Sequence, residues 1–329
     1  MCLNSFANKD MSFKILNTIG EVFTDSAKDI LSSVGEVDYK TLTQNELDAI
    51  IGDYDALLVG LGVNFHKGTL EKAPKLKVIA TATTGLNHIA VDYAKEKGIE
   101  ILSLRGENEF LDSITSTGEL AFSLMLDLMR FNPWAFEDVK NYRWERENFR
   151  GWSLYGKTIG IVGMGRLGKI VAAGAAGFRM KVLFTDPNVS QEQFPQYKKV
   201  SFDELLSESD VVSIHVHLSP ETEKMFNEGV LKKMKKSAYL INTARGEIVD
   251  EDAIQAALQS GELAGYGTDV LSGELSFGSI FDNYPLVEYA KKNRNCIILP
   301  HTGGMTHDSR IATDVFMAKK LQTFLSSHG

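Results

Sequence analysis

Residues 160–168 read GIVGMGRLG, in which an apolar, β-branched run leads into three spaced glycines, Gly163, Gly165 and Gly168. The run predicts a buried strand over 158–162, and the residues after it predict a helix. In such a turn the first glycine permits a tight bend, the second lets the backbone approach a pyrophosphate, and the third lets the helix pack closely. The stretch therefore predicts a dinucleotide-binding βαβ unit, with a glycine-rich turn of an unrelated α/β protein as the alternative.

The end of the next predicted strand, at 181–185, separates these two interpretations. Asp186 follows that strand, 18 residues after Gly168, where a carboxylate can accept hydrogen bonds from both hydroxyls of an adenosine ribose. The same charge would repel a 2′-phosphate, and residues 187–196 contain no Lys or Arg to bind one. We therefore expect NAD rather than NADP as the cofactor.

Short apolar runs alternate with helical patterns over most of the chain. Strands are predicted at 13–16, 56–59, 77–81 and 99–102, and again at 158–162, 181–185, 211–216, 238–242, 265–270 and 297–299. Helices are predicted at 44–51, 116–129 and 306–327. Because such alternation is typical of βαβ units, we expect an α/β protein with two doubly wound parallel-sheet domains.

The composition of the 329-residue chain narrows the function classes. There are 35 Lys and Arg against 43 Asp and Glu, a formal net charge of −8, which disfavours binding to a nucleic-acid backbone. No apolar run approaches the ~18 residues of a membrane span, and no signal peptide is recognisable. Cys2 and Cys296 have no zinc or disulfide-framework spacing. These features predict a cytoplasmic protein that binds neither nucleic acid nor membrane.

Three ionisable residues, Arg245, Glu274 and His301, follow later strands of the second series, at the sheet edge where ligands bind in α/β proteins. Reduction of a ketone by hydride needs a cation that polarises the carbonyl and an acid that protonates its oxygen. Arg245 suits the first task and His301 the second, and Glu274 suits the support of a charged imidazole. Taken singly, each also fits an ordinary loop, helix-end or core residue.

Four longer motifs surround these residues, and through them the chain resembles the D-isomer-specific 2-hydroxyacid dehydrogenases. The motifs lie at residues 154–168, 242–251, 265–270 and 300–304. The resemblance implies a Rossmann NAD-binding domain inserted in a flavodoxin-like substrate domain, with predicted boundaries at 1–112, 113–299 and 300–329. It also implies that Arg245, Glu274 and His301 are the catalytic residues and that a 2-ketoacid and a D-2-hydroxyacid are interconverted.

The resemblance carries cofactor roles to further residues of the second series. These are Gly163, Gly165, Arg166, Leu167 and Gly168 at the pyrophosphate, Asp186 at the ribose, His215 and Thr222 after the next strand, Thr243 and Arg245 near the nicotinamide, and Asp269 at its carboxamide. His215 and His217 share one strand face, but no third ligand has suitable spacing, so we expect no metal.

On the substrate side, residues 81–88 resemble the family loop whose backbone amides hold a carboxylate, with Thr84 and Gly85 nearest the ligand. A plain strand-to-helix turn is the alternative. Two positions depart from the family, which usually has Pro where this chain has His217 and Leu275. Formate dehydrogenases, a related branch, carry Gln where this chain has Glu274, which disfavours formate.

Three further interpretations stay open. A short D-3-phosphoglycerate dehydrogenase without a regulatory domain is one, because the chain ends 28 residues after His301. That branch tends to carry an Arg for the phosphate within the segment 60–67, where this chain offers only His66 and Lys67. An NADH-sensing binding protein of the corepressor type is another. The third concerns residues 131–152, which hold all three tryptophans: an arm that packs on a second subunit of a homodimer, or aromatics that pin a connection to its own domain.

Overall fold

The computed structural model describes residues 13–277 and 280–328, so Cys2 lies outside the described residues. The described residues form two compact units, one comprising residues 13–111 together with 307–328, and the other comprising the described residues from Asp112 to Thr306. Residues 300–306, which the sequence prediction placed with the C-terminal segment, belong to the second unit.

The strands and helices alternate along the chain. The strands are β1 Phe13–Asn17, β2 Gly35–Tyr39, β3 Ala56–Val59, β4 Val78–Thr81, β5 Glu100–Ser103, β6 Thr158–Val162, β7 Lys181–Thr185, β8 Lys198–Lys199, β9 Val211–Ile214, β10 Tyr239–Asn242, β11 Gly265–Thr268 and β12 Cys296–Ile298. The helices are α1 Asp25–Ser32, α2 Gln44–Ile50, α3 Lys67–Leu70, α4 Val91–Glu96, α5 Asn108–Asp112, α6 Ser116–Arg130, α7 Asn132–Lys140, α8 Arg166–Gly177, α9 Phe202–Glu208, α10 Glu228–Leu231, α11 Glu251–Ser260, α12 Pro285–Ala290 and α13 His307–Ser327.

The first unit contains a five-stranded parallel sheet in the order β2-β1-β3-β4-β5, which is the flavodoxin-like order. Its strands β3 and β4 are buried throughout, as in the ALLV of β3, because helices cover both faces of a parallel sheet. Helix α13 packs on this unit, where Leu321 and Leu325 share a core cluster with Leu31 of α1. The prediction missed β2, an edge strand none of whose residues is fully buried.

The second unit contains a seven-stranded parallel sheet in the order β8-β7-β6-β9-β10-β11-β12. The strand order reverses between β6 and β9, which is the point where doubly wound sheets bind ligands. Two hydrophobic cores lie on its two faces, one around Leu124 and Val171 and the other around Leu240 and Ile254. The predicted fold class is confirmed, although six strands were expected and the two-residue edge strand β8 was missed.

The tryptophan-bearing segment 131–152 contains α7 and a 3₁₀ turn at Arg146–Phe149. Trp134 packs against the core of the second unit, whereas Tyr142 is 99% and Trp144 84% exposed. Among the described residues, no helix is both long and apolar enough to cross a bilayer.

Candidate active site

The turn between β6 and α8 needs its glycines for three different reasons. Gly163 has a φ of +93°, a conformation that favours glycine. A Cβ on Gly168 would lie 2.1 Å from Gly163 O, so the helix packs there at a distance that no side chain allows. A Cβ on Gly165 would meet nothing within 4 Å. The second glycine therefore borders open space at the N-terminus of α8, which suits the approach of an anion.

Asp186 lies at the carboxyl end of β7 and is held towards this turn. Its Oδ2 accepts a hydrogen bond from Met164 N at 2.9 Å, and its Oδ1 accepts one from Asn188 N at 2.8 Å. Two backbone donors fix the carboxylate, so its charge stands beside the glycine turn, as the ribose-binding prediction requires.

Arg166 and Leu167 begin α8 directly after the second glycine. The Arg166 Nη1 donates a hydrogen bond to Ile114 O at 2.6 Å. Burial lowers the pKa of the guanidinium, and the charge of Asp112 acts in the opposite direction. The side chain therefore reaches back to the start of the second unit as well as bordering the turn.

His215 and Thr222 lie on the loop after β9, at the reversal of strand order. The His215 Nε2 is 2.9 Å from Ser213 Oγ, and burial lowers the pKa of the ring to about 4, so it is neutral at ordinary pH. The Thr222 hydroxyl donates to His217 O at 2.6 Å and accepts from Ser219 N at 2.8 Å, which shapes the loop itself.

Arg245 follows β10 on a loop that Asn242 holds. The Asn242 side chain accepts a hydrogen bond from Ala244 N at 3.0 Å and donates one to Arg245 O at 2.9 Å. The next residue is Gly246, where a Cβ would lie 2.1 Å from Leu271 C. The Arg245 loop thus packs backbone to backbone on the loop that carries Glu274. The sequence analysis did not predict this contact, although a glycine directly after Arg245 is a sign that another backbone comes close there.

Glu274 and His301, on the loops after β11 and β12, form a hydrogen-bonded pair. His301 Nδ1 lies 2.5 Å from Glu274 Oε1, and Glu274 Oε2 accepts a hydrogen bond from Leu271 N at 3.0 Å. His301 has a φ of +51°, which is rare for a residue other than glycine and is often found at functional sites. With Nδ1 occupied by the carboxylate, Nε2 is the ring nitrogen left for proton exchange.

The electrostatics of His301 favour the imidazolium. Burial lowers the pKa of the ring, but the hydrogen bond and charge of Glu274, together with the charge of Asp269, outweigh burial and the opposing charge of Arg245. The pKa of His301 is therefore raised above its ordinary value. A proton is held on this ring at higher pH than on a free histidine.

Asp269 directly follows β11 and lies near the Glu274–His301 pair. Its Oδ2 accepts a hydrogen bond from Gly303 N at 2.8 Å. Burial raises the pKa of its carboxyl, opposed by the charge of His301 and by the Gly303 amide. Asp269 Oδ1, Thr243 Oγ1 and His215 Nδ1 are buried and have no hydrogen-bond partner among the described residues.

These orphaned polar atoms test whether the site fits a dinucleotide. Buried polar atoms are costly unless a partner satisfies them, and these three belong to loops at the carboxyl edge of the second sheet. A ligand rich in amide and hydroxyl groups fits this donor and acceptor set, and the open space at Gly165 fits its phosphates. The residues present therefore fit NAD.

The candidate substrate loop lies in the first unit, after β4. Thr83 Oγ1 donates to Gly85 O at 2.7 Å, and Thr81 Oγ1 lies 3.3 Å from Nε2 of the buried His88. Thr84 and Gly85 are half-buried at the tip of this turn. Thr83 and His88 lie within the predicted loop 81–88, and their hydrogen bonds shape the turn that presents Thr84 and Gly85.

Within residues 13–277 and 280–328, no group of three or more His, Cys, Asp or Glu side chains has an arrangement that could hold a metal ion. Cys296 is a free, buried thiol, and burial raises its pKa to about 12.

A doubly wound sheet with this glycine turn, and with Arg245 and a His301–Glu274 pair beyond the same edge, defines a dinucleotide-binding protein of the α/β class with ionisable side chains at its ligand edge. The family comparisons are more specific. Residues 15–110 match the D-isomer specific 2-hydroxyacid dehydrogenase catalytic domain, and residues 122–303 match the NAD binding domain of the same family. The chain belongs to the D-isomer specific 2-hydroxyacid dehydrogenases. The predicted family and NAD as cofactor are confirmed.

Several relatives span nearly the whole chain. It is 36% identical to the glyoxylate reductase of Thermococcus litoralis, covering 83% of this chain and 81% of that protein. It is 33% identical to the D-3-phosphoglycerate dehydrogenase of Synechocystis, covering 90% of this chain but 52% of the relative. It superposes on the D-lactate dehydrogenase of Aquifex aeolicus, crystallised with NAD and lactic acid, with a TM-score of 0.82, 28% identity, and coverage of 95% and 96% of the two chains. The chain thus spans about half the length of the D-3-phosphoglycerate dehydrogenases that it matches.

Proposed function

We propose that this protein is an NAD-dependent oxidoreductase that interconverts a 2-ketoacid and a D-2-hydroxyacid. The observation that carries the proposal is the His301–Glu274 pair, 2.5 Å apart, on loops of the same sheet edge as Arg245. An acid and a fixed cation are the two groups that ketoacid reduction requires from a protein. The D configuration follows from the family.

In the direction of reduction, the Arg245 guanidinium binds the substrate carboxylate and polarises the neighbouring carbonyl. When bound, NADH supplies the hydride for the carbonyl carbon. His301 Nε2 gives its proton to the carbonyl oxygen, and Glu274 stabilises the imidazolium and fixes the ring through Nδ1. In oxidation His301 takes the hydroxyl proton, so the same atoms serve both directions.

The cofactor-binding residues form a second part of the proposal. They are Gly163, Gly165, Arg166, Leu167 and Gly168 at the phosphates, Asp186 at the ribose, His215 and Thr222 on the loop after β9, and Thr243 and Asp269 towards the nicotinamide. The orphaned atoms of Thr243 and Asp269 support the last two roles, because a buried hydroxyl and carboxylate oxygen gain partners when a carboxamide arrives.

The first unit and the C-terminal helix are proposed to form the substrate domain, with Thr84 and Gly85 at the substrate carboxylate. His66 and Lys67, the residues considered for a substrate phosphate, are engaged within this unit. His66 Nδ1 accepts a hydrogen bond from Thr69 N at 3.1 Å as the cap of α3, and Lys67 Nζ lies 5.5 Å from the centre of the Tyr93 ring. Both side chains are nevertheless exposed, so a short D-3-phosphoglycerate dehydrogenase stays the alternative.

A cytoplasmic homodimer completes the proposal. The exposed Tyr142 and Trp144 support a subunit contact, because aromatic side chains are enriched in interface cores. Light scattering of the purified protein is expected to give twice 36.4 kDa, and the Tyr142→Ser/Trp144→Ser double variant is expected to give a smaller mass. A monomeric wild-type protein would rule the homodimer out.

The activity is tested by following NADH absorbance with glyoxylate, hydroxypyruvate, pyruvate and 3-phosphohydroxypyruvate, with NADPH in place of NADH as a cofactor control. We expect turnover of at least one unphosphorylated acid, lowered by about 10²–10⁴-fold in His301→Gln. His307→Gln, which changes an exposed histidine, is the matched control and should retain the activity. A clear preference for 3-phosphohydroxypyruvate would identify the phosphoglycerate branch, and no turnover of any 2-ketoacid would overturn the proposal.

A further inference from the structure

The loop of residues 271–274, which carries Glu274, rests on two carboxylates that take no part in the proposed reaction. Ser272 N donates a hydrogen bond to Glu251 Oε1 at 3.0 Å, and Gly273 N donates one to Glu247 Oε1 at 3.1 Å. Both carboxylates come from the segment after Arg245. Hydrogen bonds to a charged acceptor are among the strongest that a backbone amide forms, so this segment determines where the 271–274 loop lies.

Tyr284 lies beside the carbonyl group of Ser272 and also contacts Glu251. Its hydroxyl contacts Glu251 Oε2 and lies 3.0 Å from Ser272 O. The ring packs edge-on against Phe277, with ring centres 5.5 Å apart. Glu251 therefore holds the N–H of Ser272, and the Tyr284 hydroxyl, with its single proton, lies between the Glu251 carboxylate and the C=O of Ser272, which is two positions before Glu274.

We propose that Glu251 and Tyr284 are positioning residues for the Glu274–His301 pair. Glu251 accepts from the N–H of Ser272, and the Tyr284 hydroxyl fixes Glu251 beside the C=O of Ser272, so that together they keep the Glu274 carboxylate within hydrogen-bond reach of His301 Nδ1. The inference rests on the proposed function for the identity of the catalytic pair. It adds two residues to that site that touch neither substrate nor cofactor.

A simpler role for Glu251 is that of an acidic residue in the first turn of α11, where it favours the helix dipole. Asp252 in the same turn is exposed and serves that role without a buried partner. Glu251 is instead half-buried, and burial raises the pKa of its carboxyl, with the Tyr284 hydroxyl acting in the opposite direction. Since dipole compensation does not need a carboxylate to leave water, the contacts with Ser272 and Tyr284 are the reason for its position.

Other ionisable groups lie near Glu251 and near His301. Glu247, Asp252 and Tyr284 act on the pKa of Glu251, and the charge of Glu251 in turn raises the pKa of Tyr266 and of Cys296. The groups that act on the pKa of His301 are Glu274, Asp269 and Arg245. Neither Glu251 nor Tyr284 is among the groups that contribute most to the pKa of His301, and Glu251→Gln, which removes the same charge as Glu251→Ala, separates a displaced Glu274 loop from a direct effect of that charge.

The test is an NMR titration of the His301 ring in the cofactor-free protein, with His301→Gln used to assign the signal. We expect Glu251→Ala and Tyr284→Phe to lower the pKa of His301 towards the ordinary histidine value, because its carboxylate partner is no longer held in reach. Glu251→Gln can still accept from Ser272 N and donate to the Tyr284 oxygen, so it should keep the wild-type titration. Asp252→Ala is the matched control and should also leave it unchanged.

Kinetics provide the second readout. In Glu251→Ala and Tyr284→Phe, kcat for ketoacid reduction is expected to fall about 10- to 100-fold, with little change in KM because Arg245 still binds the substrate. An unchanged His301 titration in a folded Glu251→Ala or Tyr284→Phe protein would overturn the inference. Because the titration needs no turnover, it decides this inference even if the wild-type protein reduces no 2-ketoacid, a result that would overturn only the proposed function.

Discussion

Asp269 holds the backbone of His301, with His301 N donating a hydrogen bond to Asp269 O at 2.8 Å. The Asp269 carboxylate also accepts from Gly303 N at 2.8 Å, two residues further along the chain. These two bonds fix the turn in which His301 takes its positive φ of +51°. Asp269, directly after β11, thus orients His301, the proposed acid, and places a carboxylate beside it.

The raised pKa of His301 predicts the pH dependence of the reaction. Reduction needs the protonated ring, so kcat/KM for a 2-ketoacid should be highest at low pH and fall as pH rises through the raised pKa. Oxidation of the hydroxyacid should show the opposite dependence. In Glu274→Gln the largest raising contributions are removed, so the falling limb should move to lower pH and kcat should decrease. Rate profiles of both proteins in both directions check this.

The raised pKa of His301 also makes the free energy of unfolding depend on pH. A histidine whose pKa is raised on folding stabilises the fold fully below the unfolded value of about 6.5 and loses that contribution as pH rises through the folded value. The pH dependence of the free energy of unfolding should therefore differ between the wild-type protein and Glu274→Gln over that window. Identical pH dependences of both rate and stability in the two proteins would contradict the assigned pair.

The sequence predicts the parts of the molecule whose residue pattern is typical of a single kind of structure or site. Buried parallel strands such as β9 have continuous apolar runs, and a glycine turn followed by Asp186 is specific to one kind of site. The edge strands β2 and β8 were missed because exposed strands have no such pattern. The roles of Glu251 and Glu247 were also not predictable, since acidic residues near a helix start are common, and only the fold brings the 271–274 loop onto them.

Asp186 should determine the choice between NADH and NADPH. Asp186→Ser removes a charged acceptor, and loss of a hydrogen bond to a charged group costs about 1.5–3 kcal/mol, so the Kd for NADH should rise roughly 10- to 100-fold. The Kd for NADPH should stay the same or fall, because repulsion of the 2′-phosphate is removed. Fluorescence titrations with both cofactors measure the ratio. Asp203→Ser, at an exposed carboxylate 2.8 Å from Lys233 Nζ, is the control, and an unchanged ratio in Asp186→Ser would contradict the ribose role.

Two neighbouring glycines should separate ligand binding from packing. Gly165→Ala introduces a Cβ that meets nothing within 4 Å, so the free energy of unfolding should hold while NADH affinity falls. Gly168→Ala introduces a Cβ 2.1 Å from Gly163 O, and such overpacking should cost about 1–3 kcal/mol of stability. Gly177→Ala in the same helix meets nothing within 4 Å and is the control for both. Urea unfolding and NADH titration of the three variants decide the matter, and normal NADH affinity in Gly165→Ala would place the phosphates elsewhere.

Thr243 offers a test of whether its orphaned hydroxyl is reserved for the cofactor. Its Oγ1 is buried without a partner among the described residues, so Thr243→Val should raise the stability of the cofactor-free protein by about 1 kcal/mol and weaken NADH binding. Thr268→Val makes the same change one strand away, where Oγ1 donates to Asn242 O at 2.9 Å and accepts from Val270 N at 3.1 Å. That variant should lose about 1–3 kcal/mol. The free energy of unfolding is therefore expected to rise in Thr243→Val and to fall in Thr268→Val. A Thr243→Val protein that is less stable than the wild type and binds NADH normally would show that this hydroxyl stabilises the fold instead of binding the cofactor.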